Sequence, residues 1–364
     1  MRITFDECGY TGEHLLDKEQ AVFALASTSL HDGDCAQLLG RFSGRTQGEF
    51  KYTKLKKARR NEPLILSLLG DSRISQDTCK VFVIHKPFML VTKLVDNICE
   101  PEAREFGVDL YEGRAALALA NLISSTFPTF LGRTRYNRFL QVFSDLSRNR
   151  NSKSIERFVA ESEAIYNHLH RKFPLAAKTF SPVVMACRKG LRFLRHTTAD
   201  DFDHDPIIPA YHTLANEWSK QTSGRFEALA DESKVLAYER ERLLKFSDPN
   251  LKEVELKQYA NTAIFPLRIS DLITARSEAH YSIQLADLLS GAAFQALNNR
   301  ARGQRPEAFE ERLFEVLAEK KLPFGMWPST GVTPENVEGV GDYDGNVVDY
   351  SMKIMSDDES VRKK

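Results

Sequence analysis

The chain has 364 residues, 42% of them hydrophobic, which is enough to bury the core of one large domain or of two ordinary ones. Lys plus Arg and Asp plus Glu both number 50, so the formal net charge is zero and no overall field draws the molecule to nucleic acid or to a membrane. Nucleic-acid binding would have to come from local patches. Three basic runs are candidates, at residues 51–60, 133–153 and 171–195, although each alone is typical of a solvated helix face.

The five cysteines are odd in number, widely spaced and without a C-x-x-C pair, which favours reduced thiols and argues against a zinc site. No apolar leader precedes the first acids, and no apolar stretch is long enough to span a bilayer. We therefore expect a cytoplasmic protein with no membrane role.

Two apolar segments near the start, residues 3–5 and 21–27, predict a β-hairpin whose turn contains glycines. Asp6 and Glu7 follow the first segment and would enter that turn. Acids are common in turns for local reasons, but a strand end with two carboxylates can also hold a divalent metal. If the strand continues, Asp6 and Glu7 point to opposite faces, and Asp6 is then the stronger ligand candidate.

Residues 49–52 alternate polar and aromatic, which predicts a half-buried strand with Glu49 and Lys51 on one face. Glu49 could be a further metal ligand and Lys51 could hold a substrate phosphate; a surface ion pair is the alternative. Residues 54–69 read as a helix with a basic start, and 80–84 as a central strand. The basic start supplies three candidate nucleic-acid contacts: Lys54, Lys56 and Lys57.

The middle of the chain has helical patterns at residues 110–125, 136–146, 154–173 and 182–194. A polar loop at 147–152 carries Arg148 and Arg150, two further candidates for nucleic-acid binding, and 197–209 reads as an acidic linker. The predicted organisation is an α/β domain formed by residues 1–98 and 210–330, a helical insertion at 99–209, and a loose acidic extension at 331–364.

Strand character returns at residues 225–230, which run into Asp231 and Glu232. A helix at 233–244, a strand around 264–269 and a helix at 282–297 follow. Ser277 and His280, before the last helix, could orient substrate or assist proton transfer, but each is more typical of a cap or a loop.

Asp287 lies on a helix that is otherwise apolar over most of its surface. Gln284, Asp287 and Gly291 are three and four residues apart and share one stripe. A glycine inside a helix indicates close approach of another element. The alternatives for Asp287 are a hydrogen bond to neighbouring backbone, a pair with Arg276, or a functional carboxylate.

Asp6, Asp231 and Asp287 could meet at one edge of a sheet, where several carboxylates would repel unless cations neutralise them. Mg²⁺ or Mn²⁺ are the natural choice because they prefer oxygen ligands. Two such ions would activate a water and stabilise the leaving oxygen of a phosphodiester.

Four short motifs together resemble a family. They are Asp6-Glu7-Cys8-Gly9, Glu49-Phe50-Lys51, Asp231-Glu232, and Ser277 followed by Gln284-Leu285-Ala286-Asp287. The chain resembles the bacterial and phage-associated domain-of-unknown-function family 3800 over about the first ninety residues and residues 226–296. That resemblance implies a ribonuclease H-like fold with acids on the first strand and on a late helix, a metal-dependent nuclease activity, and an association with mobile elements and defence loci. Cys8 stands where that family commonly has Ser, and the helical block has no matching motif.

The expectation is therefore a ribonuclease H-like α/β fold, a mixed sheet with flanking helices and a helical insertion. It would bind magnesium or manganese through Asp6, Asp231 and Asp287, with Glu7, Glu49 or Glu232 as further ligands, and would cleave nucleic acid, with a protein partner from the same locus possible. The alternative is a non-catalytic module that binds nucleic acid or protein and keeps the fold.

Overall fold

A computed structural model describes residues 1–44, 48–191, 194, 204–258, 261–329, 331, 343 and 345–363. Within these ranges the chain forms an α/β structure with a mixed six-stranded sheet and flanking helices. The strands are β1 (Arg2–Cys8), β2 (Val22–Thr28), β3 (Cys79–His85), β4 (Phe226–Asp231), β5 (Val254–Gln258), β6 (Asn261–Phe265), β7 (Ile269–Ala275) and β8 (Pro323–Met326). The sheet order is β7-β4-β1-β2-β3-β8, and β5 and β6 form a separate hairpin.

The helices occupy both faces of the sheet and the middle of the chain. They are α1 (Asp32–Leu39), α2 (Tyr52–Leu55), α3 (Glu62–Leu69), α4 (Lys86–Leu94), α5 (Glu100–Arg104), α6 (Ala115–Leu131), α7 (Arg133–Arg148), α8 (Ser152–Lys172), α9 (Pro174–Arg188), α10 (Ile207–Gln221), α11 (Lys234–Lys245), α12 (Tyr281–Ala301), α13 (Ala308–Glu319) and α14 (Val347–Met355). Among the described residues, none of these helices combines the length and the apolar character that crossing a bilayer requires.

The strand directions bring the carboxyl ends of three strands to one edge of the sheet. β1 is antiparallel to β2, and β2 to β3, whereas β1 and β4 are parallel and β4 and β7 are parallel. The carboxyl ends of β1, β4 and β7 therefore share an edge, which we call the acidic edge because it carries Asp6, Glu7 and Asp231. Phe5 pairs with Ala230, so the next residue on each strand, Asp6 and Asp231, lies at the same level.

The two faces of the sheet have different covers because side chains alternate along each strand. Ile3 and Phe5 of β1 belong to a core that continues into α4 and the helices α6 to α10. The opposite face includes Ala24 and Ala26 of β2 and packs against α12, α1, α3 and α13. Because Asp6 pairs with Ala26, its side chain lies on the α12 face, and Glu7 lies on the other.

The helical insertion is packed onto the sheet rather than set apart from it. Phe139, Phe158 and Phe180 are fully buried in the same continuous core as the β1 side chains. The boundary expected at 98/99 falls in a π-helical segment, Val95–Cys99, that joins α4 to α5. The boundary expected at 209/210 falls inside α10, whose Trp218 indole donates a 2.8 Å hydrogen bond to Ser27 Oγ on β2.

Several local predictions are wrong for identifiable reasons. Asp6 and Glu7 are not in a turn, because β1 continues through them and pairs them with Ala26 and Leu25. Residues 49–52 are not a strand, since their backbone bonds to side chains of α12, as described below. The helix expected at 54–69 is interrupted, because Ala58 is extended and the Asn61 side chain bonds Leu55 O before α3 begins.

Three further predictions, for the C-terminal extension, the strand at 264–269 and the loop at 147–152, need correction. The extension after 331 is not wholly loose: α14 contacts α11, and Ile354 and Val361 are buried. The expected strand at 264–269 is two elements, since β6 ends at Phe265 and β7 begins at Ile269. The loop expected at 147–152 is shorter, because α7 extends to Arg148 and α8 begins at Ser152. The linker expected at 197–209 lies largely outside the described residues.

Candidate metal and active site

Three elements of the fold supply acids to one place. Asp6 comes from β1, Asp231 from the end of β4, and Asp287 from the second turn of α12, which packs across β1 and β2. Asp6 is only 8% exposed. Its pKa is raised well above the ordinary value, first by burial and then by repulsion from Asp287, Glu7 and Asp231. The repulsion that Asp287 and Asp231 exert on Asp6 indicates that the three carboxyls lie near one another.

The neighbouring carboxyls experience the same conditions. Burial, followed by repulsion from Asp231, raises the pKa of Glu7 to about 7. Burial also raises the pKa of Asp287 to about 6, with Glu49 and Asp231 adding repulsion, while the hydrogen bond from Tyr52 and the charge of Lys51 act in the opposite direction. A site that raises several carboxyl pKa values favours protonation or a bound cation.

The stripe predicted on α12 holds residues 49–52 in place. Gln284 Oε1 accepts a 2.8 Å hydrogen bond from Phe50 N, and Asp287 Oδ2 accepts one of 2.5 Å from Tyr52 N. A Cβ atom added to Gly291 would lie 2.5 Å from the Tyr52 ring, so only glycine permits this contact. The predicted close approach at Gly291 is confirmed, and so is the backbone alternative for Asp287. Arg276 pairs with Glu278 instead.

Ser277 connects two of the predicted site residues. It donates its hydroxyl to Glu49 Oε2 at 2.7 Å and its backbone N–H to Asp231 Oδ1 at 3.2 Å. Lys51 Nζ lies 3.4 Å from Glu49 Oε1. Burial acts to raise the pKa of Glu49, but the hydrogen bond from the Ser277 hydroxyl and the charge of Lys51 outweigh it and lower that pKa. The Glu49 carboxylate therefore stays ionised. Glu49 and Lys51 thus lie beside the acidic edge, although residues 49–52 do not form the strand that was expected to present them.

Other predicted positions contribute differently. Glu232 is exposed, and its backbone N–H donates to Asp231 Oδ1 at 2.9 Å. His280 Nδ1 lies 3.1 Å from Asp32 Oδ2, which agrees with a structural role at the start of α12.

The predicted nucleic-acid contacts fall into two groups. Lys54, Lys56 and Lys57 are exposed, and Lys54 Nζ lies 3.7 Å from Glu49 Oε1, so this basic segment adjoins the acids. Arg148 and Arg150 are half-buried rather than open to solvent. Arg148 lies 3.6 Å from Asp145, and both arginines lie close enough to the buried His204 to help burial lower its pKa to about 3.

The site contains a residue, Tyr211, that the sequence analysis missed. The Tyr211 hydroxyl of α10 is fully buried without a hydrogen-bond partner in the described part of the chain, and its pKa is raised by burial and then by Glu7, Asp6 and Asp231. No sequence signal marks this tyrosine. Cys8 is also present; burial and Asp287 raise its thiol pKa to about 12, so it stays protonated and is no nucleophile.

The residues fit a hard divalent cation in chemistry but are not arranged as a ready-made cage. Within the described ranges, no group of three or more His, Cys, Asp or Glu side chains has the spacing of a metal site. One oxygen of each aspartate accepts backbone N–H groups, whereas Asp6 Oδ2 and Asp287 Oδ1 accept no hydrogen bond from the described residues. Free carboxylate oxygens and an unpartnered buried hydroxyl are what a cation with its waters would satisfy.

No protein-family model, curated protein or solved structure matches this chain.

Proposed function

We propose that this chain is a divalent-metal-dependent nuclease with a ribonuclease H-like fold, which binds Mg²⁺ or Mn²⁺ through Asp6, Asp231 and Asp287 and hydrolyses nucleic-acid phosphodiesters. The observation that carries the proposal is the approach of three carboxylates from three separate elements at one sheet edge, where Asp231 and Asp287 raise the pKa of Asp6 and Asp231 raises that of Asp287. The chain also resembles a family associated with mobile elements and defence loci, and this resemblance extends the proposal to a role in phage defence together with a protein partner.

Two features support the fold part of the proposal. An antiparallel meander of β1, β2 and β3 continues beyond β1 into the parallel strands β4 and β7. The acids lie on the first strand and on a late helix, as the family resemblance implies for a ribonuclease H-like fold.

The bound ions would supply activation of water and stabilisation of the leaving oxygen. The protein's own residues have other tasks. Lys51, next to Glu49, is placed to hold a substrate phosphate near the acids. Ser277 fixes the orientation of Glu49 and Asp231, and the exposed lysines 54, 56 and 57 extend the positive surface along the substrate.

A second candidate is a non-catalytic nucleic-acid- or protein-binding module. The observation that favours it is that Asp6, Asp231 and Asp287 each accept a backbone N–H, from Glu7, Ser277 and Tyr52 respectively. Acids with such bonds can be kept for structure alone.

The two candidates differ in what an Asp→Asn change does, because asparagine keeps the acceptor oxygen and loses the charge. Labelled single- and double-stranded DNA, RNA and hybrids should be incubated with Mg²⁺, Mn²⁺ or EDTA. A nuclease loses cleavage in EDTA and in Asp6→Asn and Asp287→Asn, whereas Asp271→Asn, on β7 and paired with Arg240, remains active. Cleavage that survives both site variants would come from a contaminant or another site.

A further inference from the structure

A cavity in the helical insertion carries an unbalanced positive charge. It has a volume of about 550 Å³, lies between the start of α7 and the middle of α8, and is lined by Leu131, Gly132, Arg133, Thr134, Arg135, Arg138, Glu161 and Ala164. The described residues that line it include three arginines and one glutamate. The lining residues therefore carry two more positive than negative charges.

Glu161 organises the arginines without neutralising them. It is buried, at 9% exposed, and its carboxylate lies 3.0 Å from Arg138 Nη2 and 3.8 Å from Arg135 Nε. Arg138 keeps two-thirds of its side chain exposed, at 67%, so most of its guanidinium fork remains open to a ligand. Arg133 is exposed as well, and its guanidinium lies against Gly303 in the turn after α12.

We propose that this cavity binds a backbone phosphate of the nucleic acid, remote from the acidic edge. Guanidinium forks match phosphate oxygens in geometry and charge, and two surplus positive charges suit the repeated phosphates of a nucleic-acid strand. The proposal rests on the proposed function, because it identifies the anion as part of the same substrate.

The position of the cavity supports this choice over an unrelated anion. α12 carries Asp287 in its second turn and ends at Ala301, fourteen residues further along, and Arg133 lies against Gly303 in the turn that follows. At 1.5 Å per residue the separation along the helix is about 21 Å. A duplex that reaches from the acidic edge to the cavity would span roughly six base pairs at about 3.4 Å each. The cavity would thus hold the substrate at a distance from the bond to be cleaved.

The test is equilibrium binding of labelled single-stranded and duplex oligonucleotides, about 20 nucleotides long, in EDTA so that no cleavage is required. The variant with Arg135→Gln and Arg138→Gln should bind about tenfold more weakly, and the slope of log K against log salt should fall by about one. Arg104→Gln is the matched control, since Arg104 is an exposed arginine of the same insertion that lies outside the basic runs and pairs with Asp349. It should bind like the wild type.

The variant Glu161→Gln should change the affinity for nucleic acid in the opposite direction. It keeps an acceptor for Arg138 and removes the one negative charge among the described residues that line the cavity, so affinity should rise severalfold. A gain cannot result from misfolding, so this variant decides the matter if the double variant fails to fold.

Binding by the double variant equal to the wild type, no gain in Glu161→Gln, or no nucleic-acid binding by the wild type would each overturn the proposal. Competition by a polyglutamate peptide that depends on Arg135 and Arg138 would also overturn it and assign the cavity to an acidic protein. Failure of the nuclease proposal looks different: cleavage would be absent with every metal while the binding differences remained.

Discussion

The variant Asp287→Asn distinguishes two roles of the Asp287 carboxylate: a charge that destabilises the metal-free fold, and a hydrogen-bond acceptor that supports it. In the folded protein the pKa of Asp287 is about 6, against 3.8 for the unperturbed group. Each unit is worth about 1.4 kcal/mol, so above pH 6 ionised Asp287 costs the metal-free fold up to about 3 kcal/mol. Asparagine can still accept the Tyr52 N–H and carries no charge.

We therefore expect Asp287→Asn to raise the free energy of unfolding by about 1–3 kcal/mol at pH 8 in EDTA, with most of the gain absent at pH 4. Thermal unfolding should show this as a rise of a few degrees. Adding Mg²⁺ or Mn²⁺ at about a thousandfold its dissociation constant reverses the order, because the ion then stabilises the wild type by about 4.1 kcal/mol and lacks a ligand in the variant.

Asp271→Asn is the control, since Asp271 pairs with Arg240 on β7 and its loss should bring no stabilisation in EDTA and leave the metal effect unchanged. Equal stability of wild type and Asp287→Asn at pH 8 in EDTA would refute the repulsion. Equal stabilisation of both proteins by metal would place the ion elsewhere.

Three other measurements test the site. The pKa of Glu7 is about 7 in the folded protein and 4.5 in the unfolded chain, so between pH 4.5 and 7 the folded protein binds more protons. Denaturant titrations of the metal-free protein should therefore show the free energy of unfolding falling from pH 4.5 to 7. A rise over this range would contradict the burial of the acids. Gly291→Ala should cost about 1–3 kcal/mol through the clash with Tyr52, whereas Gly33→Ala, with nothing within 4 Å, should gain up to about 1 kcal/mol; equal effects would deny the contact. Tyr211→Phe should leave metal-free stability almost unchanged but reduce stabilisation by Mg²⁺, whereas a large loss without metal would show that its hydroxyl has a protein partner.

The sequence by itself determined much of the local structure. The apolar run at 80–84 predicts β3, and the period of the middle region predicts its long helices, because burial of one face leaves a pattern in the residues that form it. The stripe of Gln284, Asp287 and Gly291 was also readable, since spacing on a helix follows from its geometry alone.

Tertiary contacts decided what that stripe meets. Residues 49–52 have the alternation of a strand, but Gln284 and Asp287 take their backbone N–H groups, so no ladder forms. Alternation describes which side chains are buried and cannot say whether a strand or a helix supplies the hydrogen-bond partner.

The site divides in the same way. Asp6, Asp231 and Asp287 are recognisable in the sequence because acids beside apolar segments are unusual. That Asp6 and Asp231 lie at the same level of the sheet depends on the parallel pairing of β1 with β4, which joins residues far apart in the sequence. Tyr211 had no signal at all, because a buried tyrosine on a helix looks like any core aromatic until its hydroxyl is seen without a partner among the acids. Sequence fixes the chemistry each residue can offer, and the packing of distant elements decides which of these groups share a site.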